Sequence, residues 1–259
     1  MLLTILGSGS GGNAAVIQKN SRSILIDIGF SYRELSSRLK LNRISLESIS
    51  SVFVTHEHFD HIKGLGEFSR MHPVVVYISE GTFENLFDEV KKDVRKSVRL
   101  FKTGENIKLN GITVQTFPVP HDVADPAGFT FTSDGKKIGY VTDIGSINNT
   151  VVNSLEMSSL LVIEANHDID MLLNGKYSEY LKRRISGPHG HLSNDGALEL
   201  LQRVMCKELQ VVYLAHLSKE NNKPELAFQT VYKPLVESYS HLPEIMIAKQ
   251  GAATEPYQL

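Results

Sequence analysis

The sequence has few of the features that mark secreted, disulfide-bonded or membrane-spanning proteins. It contains a single cysteine, Cys206, so no disulfide can form within the chain, and a lone thiol fits a reducing compartment. No apolar run approaches the roughly 20 residues that a membrane-spanning helix needs. The first residues, Met-Leu-Leu-Thr-Ile-Leu-Gly, lack the basic leader and long apolar segment of a signal peptide. These absences predict a soluble cytoplasmic protein that does not enter a membrane.

An excess of positive charge is also absent, which argues against a chain whose overall field attracts nucleic acid. There are 27 Lys and Arg residues against 29 Asp and Glu residues, for a formal net charge of −2. Binding to nucleic acid would therefore require a local basic patch. The chain of 259 residues, 41% of them hydrophobic, is long enough to bury a core, and no linker divides it. We expect one domain over residues 1–259.

Short apolar runs alternate with helical patterns along the whole chain. The segments expected to form strands are 2–6, 14–18, 24–28, 52–55, 73–78, 112–119, 128–132, 137–142, 160–164, 211–215 and 244–248. Those expected to form helices are 31–40, 60–71, 82–96, 194–206 and 224–238. This alternation predicts an α/β (α+β) fold in which helices cover the sheets. Two strands end alike, in Ile26-Asp27-Ile28-Gly29 and Thr142-Asp143-Ile144-Gly145, which fits two related halves or, equally, a coincidence over a few residues.

The most informative segment is Thr55-His56-Glu57-His58-Phe59-Asp60-His61, which follows an apolar strand. In extended backbone, residues two apart point the same way, so His56 and His58 can offer imidazoles to one metal ion. Asp60 and His61 come where the chain turns into a helix and can serve a second metal. Three imidazoles and a carboxylate suit zinc, and also manganese or iron. A cluster of ordinary surface histidines is disfavoured, because the segment begins at the mouth of a core strand.

Three more candidate ligands stand at the ends of predicted strands. They are His121, Asp143 and His216. Each alone would be read as a surface polar residue, but α/β proteins place their sites at one edge of a sheet, where strands end. One four-residue motif cannot fill two metal sites, since zinc takes about four ligands. The three strand-end residues supply the further ligands that two metal sites need.

In order and spacing along nearly the whole chain, these seven residues resemble the five-motif signature of the metallo-β-lactamase superfamily. The resemblance implies a four-layer αββα sandwich of mixed sheets with two metal ions at one edge. It assigns the first metal to His56, His58 and His121, the second to Asp60, His61 and His216, and a bridging position to Asp143. It also implies that Asp27 supports the metal loop, with a simple strand-end cap as the alternative. The implied cofactors are two divalent ions, zinc or manganese, with iron as a further option.

Other segments resemble the nuclease and phosphodiesterase branches of that superfamily. They are Tyr140-Val141-Thr142-Asp143, Leu160 to Asn166, Gly190-His191-Leu192-Ser193 and Ala215-His216-Leu217-Ser218. The stretches Gly7 to Ala14 and Gly187 to Asn194 resemble the YycJ/WalJ group, which is viewed as a group of DNA exonucleases. The resemblance therefore implies a phosphodiesterase that acts on DNA as a 5′ to 3′ exonuclease.

The implied mechanism is hydrolysis by a metal-activated hydroxide. Two cations lower the pKa of a shared water toward 7, and the hydroxide attacks phosphorus. We expect Asp60 to orient the nucleophile and His191 to protonate the leaving oxygen, a step worth about 10²–10⁴-fold. Glu164 is expected to hold a histidine in its tautomer, and His189 is a further candidate behind the ligands.

Contacts to the substrate are the least determined part of the site. Ser10 and Asn13, in the glycine-rich loop, could touch a phosphate, although a plain tight turn is the alternative for each. Lys92 and Arg95 belong to a basic cluster at 91–102, and a second cluster lies at 182–184. Such runs are usually solvated helix faces, but one of them could grip backbone phosphates and make affinity dependent on salt.

Three other functions are open to such a sequence. A hydrolase of thioesters, lactones, β-lactams or small phosphodiesters could use the same fold and the same metals. A flavo-diiron protein is disfavoured, because that class typically has Glu where this chain has His58 and needs an attached flavin domain. A non-catalytic metal-binding scaffold is disfavoured because every ligand position is filled.

Overall fold

The computed structural model describes residues 1–259 and arranges them as two β-sheets with helices outside each. The strands are β1 (Leu2–Gly7), β2 (Ala14–Lys19), β3 (Arg22–Ile26), β4 (Ile49–Phe53), β5 (Val75–Ser79), β6 (Val98–Phe101), β7 (Asn106–Leu109), β8 (Ile112–Pro118), β9 (Ala127–Ser133), β10 (Lys136–Val141), β11 (Leu160–Glu164), β12 (Val211–Ala215), β13 (Glu244–Ile247) and β14 (Tyr257–Gln258). The helices are α1 (Tyr32–Leu41), α2 (Phe59–Ile62), α3 (Leu65–Met71), α4 (Glu80–Asn85), α5 (Asp88–Val94), α6 (Asn149–Leu155), α7 (Ile169–Asn174), α8 (Glu179–Ile185), α9 (Asn194–Val204) and α10 (Pro224–Ser238). A 3₁₀ turn covers Leu46–Ser48.

The two sheets share one pattern of strand directions. The first has the order β14-β1-β2-β3-β4-β5-β6 and the second the order β7-β8-β9-β10-β11-β12-β13. In each, three antiparallel pairs are followed by three parallel pairs. β3 and β10 therefore occupy equivalent positions, at the change from antiparallel to parallel pairing. The similar turns that follow them, at Asp27 and Asp143, are equivalent too, and both residues have positive φ, 58° and 56°.

The core consists of three apolar layers. Between the sheets, aromatic rings from both sheets pack against one another. The ring of Phe53 stacks on that of Tyr77, with 4.5 Å between the ring centroids, and meets the ring of Phe129 edge-on, with 5.5 Å between the centroids. A second cluster packs α6, α9 and α10 against the outer face of the second sheet. A third packs α1, α3 and α5 against the first sheet. The expected four-layer αββα sandwich is thus confirmed.

The topology brings the candidate ligands to one edge. β3 and β4 run parallel to each other in the first sheet, and β10, β11 and β12 run parallel to one another in the second, so their carboxyl ends lie at a common edge. β8 has the same direction as β10, because both are antiparallel to β9. The chain therefore delivers each predicted strand-end residue to the same end of the sandwich.

Several elements differ from the expectations. The helix expected over 60–71 is divided into α2 and α3 at Gly64, where a Cβ would lie 2.3 Å from the carbonyl oxygen of Phe30. The helix expected over 82–96 is divided at Leu86, whose backbone is extended and whose side chain is buried. The strands β6, β7 and β14 and the helices α6, α7 and α8 are short elements that the periodicity did not predict. None of the helices, of which α10 is the longest at 15 residues, is long and apolar enough to span a membrane.

Candidate metal centre

The loop after β4 carries four candidate ligands and is fixed by backbone hydrogen bonds. Asn13 N donates to the carbonyl of Asp60, and Ile28 N donates to the carbonyl of His61, both at 2.8 Å. His58 is still extended, with ψ at 144°, and α2 begins at the next residue. The change from extended to helical backbone therefore falls between the two pairs of ligands, as the sequence predicts.

Three imidazoles form the first group of the centre. His56 Nε2 lies 3.1 Å from His58 Nδ1, and His121 Nε2 lies 3.5 Å from the same nitrogen. The ring of His121 is oriented by a contact on its other nitrogen, because Nδ1 lies 3.0 Å from the carbonyl oxygen of Gly190. The three nitrogens are close enough to bind one ion.

A carboxylate and two imidazoles form the second group. Asp60 Oδ2 lies 3.7 Å from His61 Nε2 and 3.6 Å from His216 Nε2. His216 follows β12 with a positive φ of 55°, a strained conformation for a residue other than glycine. Its backbone therefore bends the side chain back toward the loop after β4.

Asp143 lies between the two groups. Its Oδ2 is 3.3 Å from His61 Nε2, and its Oδ1 is 3.4 Å from His216 Nδ1 and 4.0 Å from His121 Nε2. The carboxylate also groups with His56 and His61 as a possible ligand set. Its two oxygens therefore reach members of both groups.

The chemistry of these side chains fits divalent cations. Ligand atoms of a tetrahedral zinc site with Zn–N of 2.0–2.1 Å lie about 3.3 Å apart, close to the spacing of the first group. Asp143 Oδ2 and His216 Nε2 are buried and have no hydrogen-bond partner. Buried polar atoms without partners are costly, and a cation would satisfy them. The residues present therefore match the metal that their pattern predicts.

The charges in the site favour a cation as well. Burial alone would raise the pKa of Asp143, but the imidazoles of His216 and His61 hold it well below its usual value. Burial opposes charge on His216, yet Asp143, with Asp60 and Glu164, raises the pKa of His216 to about 10. In the absence of metal the carboxylates thus hold protons on imidazoles, and a metal would displace those protons.

Asp27 lies directly behind the loop after β4. It is buried, and its carboxylate accepts hydrogen bonds from Thr55 N and Thr55 Oγ1, both at 2.8 Å. His61 Nδ1 lies 2.8 Å from Asp27 Oδ2, which turns Nε2 toward Asp60 and Asp143. This geometry favours the supporting role over a plain strand-end cap. Thr55, which the sequence did not single out, belongs to the same network.

Glu164 supports the other half of the centre. Its Oε1 lies 2.7 Å from His216 Nδ1 and 2.9 Å from His191 Nδ1. Its Oε2 accepts from Ile144 N at 2.9 Å and Leu192 N at 3.0 Å. Although burial opposes this, the partners, His191 first, lower the pKa of Glu164 to about 2. A permanent carboxylate thus fixes the orientation of two imidazoles.

The glycine-rich loop holds ligands and does not offer Asn13 to a phosphate. Asn13 is 0% exposed, and its Nδ2 lies 3.0 Å from His61 Nε2 and 3.3 Å from Asp60 Oδ2. The predicted phosphate contact of Asn13 is therefore wrong, because the amide is enclosed. Ser8 in the same loop, which the sequence pattern does not indicate, accepts a hydrogen bond from His216 N through its Oγ at 2.9 Å. Ser10 is exposed and lines the cleft beside the centre, so its predicted phosphate contact stays a prediction.

That cleft has a volume of about 370 Å³ and opens directly onto the ligands. Its walls include Asp60, Asp143, His191 and His216 on the metal side. Opposite them, α8 contributes Leu181, Arg184 and Ile185, and the loop before it contributes Tyr177. Arg184 Nε lies 2.5 Å from Asp122 Oδ2, so the guanidinium is anchored at the rim.

Three other predicted site residues lie elsewhere. Lys92 and Arg95 are exposed at α5, in the helical layer outside the first sheet, and do not line the cleft. The basic cluster at 182–184 reaches the cleft in their place, through Arg184. His189 is exposed, and only its backbone packs near Gly145. None of the three side chains lines the cleft, and a phosphate contact by Lys92 or Arg95 stays a prediction.

Replacing Gly29 by alanine should loosen the metal loop. A Cβ at this position would lie 1.7 Å from the carbonyl oxygen of Asp60, which is backbone and cannot move aside alone. Overpacking of this kind costs about 1–3 kcal/mol. Thermal unfolding of the metal-free protein should show that loss, and titration with Zn²⁺ should show weaker binding. Gly251→Ala, where nothing lies within 4 Å, is the control, and equal behaviour of the two variants would contradict the expected contact.

The comparison with known families agrees with this geometry. Residues 22–217 match the profile of the family described as the beta-lactamase superfamily domain. The chain belongs to the metallo-β-lactamase superfamily. The exodeoxyribonuclease YycJ of Bacillus anthracis is 34% identical over 90% of this chain and 89% of its own. The exodeoxyribonuclease WalJ of Streptococcus pneumoniae serotype 2 is 33% identical over 91% of this chain and 88% of its own. The predicted resemblance is confirmed, and the chain is a metal-dependent hydrolase.

Solved structures of this superfamily share the fold. Zinc-bound PqqB from Methylobacterium extorquens superposes with a TM-score of 0.74 at 17% identity, over 98% of this chain and 99% of its own. YhfI from Bacillus subtilis superposes with a TM-score of 0.71 at 17% identity, over 98% of both chains. At this level of identity the likeness supports the architecture alone.

Proposed function

We propose that this chain is a DNA exonuclease that hydrolyses phosphodiester bonds at a centre of two divalent metal ions. The observation that carries the proposal is the convergence of two ligand groups on Asp143, with His191 in the same cleft. Two relatives named as exodeoxyribonucleases match about nine-tenths of the chain, which supports DNA as the substrate. The 5′ to 3′ direction of cleavage remains part of the proposal.

The seven side chains would hold the two ions in the groups described above. The first ion would take His56, His58 and His121, the second Asp60, His61 and His216, and Asp143 would serve both. Imidazole and carboxylate ligands suit zinc or manganese, with iron as a further option. When bound, two such ions lower the pKa of water and neutralise charge on the phosphoryl oxygens.

Asp60 orients the attacking water in this proposal. Its carboxylate is partly exposed to the cleft and lies beside His61 and His216. These imidazoles lower the pKa of Asp60, although burial opposes them, so the group is an acceptor at neutral pH. A fixed acceptor at the cleft floor can hold a water in line with the phosphorus.

His191 is the acid that protonates the leaving oxygen. Glu164 occupies its Nδ1 at 2.9 Å, which leaves Nε2 as the nitrogen available in the cleft. Burial would lower the pKa of His191, but the Glu164 carboxylate raises it above its usual value. The protonated imidazole, which has a proton to give, therefore persists to a higher pH than in a free histidine.

Arg184 supplies the positive charge that a phosphate backbone needs at the cleft. It stands at the rim, anchored to Asp122, with Lys182 and Arg183 on the same helix. The net charge of the chain is −2, so a local basic patch of this kind must provide the attraction. Arg184→Gln should weaken DNA binding and reduce its dependence on salt.

The decisive experiment combines metal analysis with cleavage of end-labelled single- and double-stranded DNA. Wild type should bind about two divalent ions and degrade DNA from one end, and 5′ and 3′ labels give the direction. His56→Ala should lose both metal and activity. Nuclease activity that persists in His56→Ala would show that another protein is the catalyst. Hydrolysis of a thioester without DNA cleavage would favour the alternative, since a thioesterase of Paecilomyces divaricatus is 28% identical over 54% of this chain.

A further inference from the structure

A second cavity adjoins the metal cleft on the far side of His191. It has a volume of about 230 Å³. His191 lines both spaces, so one imidazole separates them. The other walls come from α7, the end of α8, the start of α9 and the turn at Gly145. They are His167, Ile169, Leu172, Leu173, Ser186, Leu192 and Ser193. We call this space the His167 cavity.

The walls of the His167 cavity are more apolar than a site for phosphate would be. Ile169 and Leu173, both on α7, are 44% and 59% exposed, while Leu172 between them is buried in the fold. The fold does not use the two exposed side chains for its core. Apolar groups exposed at a cavity beside an active site mark a surface that contacts ligand.

One polar side chain in this cavity has no partner of its own. His167 is 3% exposed, and its Nδ1 makes no hydrogen bond. Its backbone is held firmly, since Asn194 N donates to the His167 carbonyl at 2.8 Å. Burial lowers the pKa of His167 to about 4, so the ring is neutral and offers one donor and one acceptor. The metal centre does not use this imidazole.

We propose that the His167 cavity binds the terminal nucleobase of the DNA strand whose adjacent phosphodiester lies at the metal centre. This inference rests on the proposed function. Enzymes that take a base out of the stack hold it between apolar side chains and read its polar edge by hydrogen bonds. The cavity offers both, with leucine and isoleucine side chains on its walls and His167 at its polar position. Because His191 touches both spaces, a base and its neighbouring phosphate can occupy them together.

The size of the cavity has a consequence for the substrate. A volume of about 230 Å³ is below the usual range for drug-sized ligands, and suits one base better than a base pair. The terminal base must therefore leave its partner before the strand is cut. All four bases have a flat ring and a polar edge, so the site should tolerate sequence while requiring that a base be present.

The test compares DNA with a normal terminal nucleotide and DNA with an abasic terminal nucleotide, at the end that the wild type attacks. If packing one base against the apolar walls and the His167 ring contributes as much as base–aromatic stacking does, the normal end is preferred by about 5- to 150-fold in kcat/KM. Leu173→Trp, which fills the cavity from an exposed position, should bring that ratio close to one. His167→Ala should lower the ratio as well. Leu41→Trp is the control, because Leu41 lies on α1 and is 80% exposed, and it should keep the wild-type ratio.

The outcomes separate this inference from the proposed function. A wild-type ratio near one, with DNA still cleaved, overturns the base site and leaves the nuclease intact. A ratio that Leu173→Trp and His167→Ala both leave unchanged also overturns it. Failure of the wild type to cleave any DNA overturns the proposed function and the base site together. Loss of the ratio in Leu173→Trp but not in Leu41→Trp supports the assignment.

Discussion

Asp143→Asn is expected to reduce hydrolysis to the level of the metal-free protein. The substitution keeps the shape of the side chain but removes the charge that lies within 4.0 Å of His61, His121 and His216. Mutating a residue that hydrogen-bonds to a metal ligand typically lowers activity or metal affinity about 10–100-fold. Asp143 is expected to bind metal directly, so Asp143→Asn should lower activity by more than about 100-fold. The metal content should fall with the activity, measured by elemental analysis after dialysis.

A second aspartate provides the matched control. Asp88→Asn changes the same functional group at the start of α5, where the side chain is fully exposed. It should retain metal and activity. Full activity in Asp143→Asn would mean that the cluster of imidazoles and carboxylates does not carry the chemistry, whatever its geometry.

His191→Ala is expected to slow DNA cleavage by about 10²–10⁴-fold, the usual contribution of a positioned acid. The effect should fall on kcat, and metal content should stay near the wild-type value. Bis-p-nitrophenyl phosphate has a leaving group that needs no proton, so its hydrolysis should suffer much less. A similar loss of activity on both substrates would assign His191 to metal binding or to folding and would contradict its role as the general acid.

The pH dependence of cleavage gives an independent check on the same residue. The protonated form of His191 is the active one, and Glu164 raises its pKa above the usual value. The rate on DNA should therefore fall as pH rises through that raised pKa, and this basic limb should be absent in His191→Ala. A basic limb that survives in the variant would belong to another group.

Much of the centre could be predicted because its residues stand at the ends of apolar strands. His56, Asp143 and His216 each follow a run whose burial and direction are fixed by the core, and parallel strands end at one edge. The similar sequences at Asp27 and Asp143 also correspond to equivalent places in the two sheets. Periodicity and strand direction are local properties of the sequence, so they can be read without a structure.

The errors concern contacts between segments distant in the chain. Asn13 and Ser8 meet residues about 47 and 208 positions away, and nothing in their own segment shows that they are enclosed. Arg184 could not be preferred to Lys92 from charge alone, since both belong to basic helices. The short helices α7 and α8 have capping signals, Asp168 and Ser178, that could have indicated them. Their lengths of six and seven residues are too short for a clear apolar period.

The division of the ligands between the two sheets has a mechanical consequence. The first half supplies the loop from His56 to His61, while His121, Asp143 and His216 come from the second half. Each ion would take ligands from both, so it would act as a cross-link at the open end of the sandwich. Chelation should therefore speed amide hydrogen exchange at the adjoining strand ends of both sheets at once, even though no strand contacts the metal along its length.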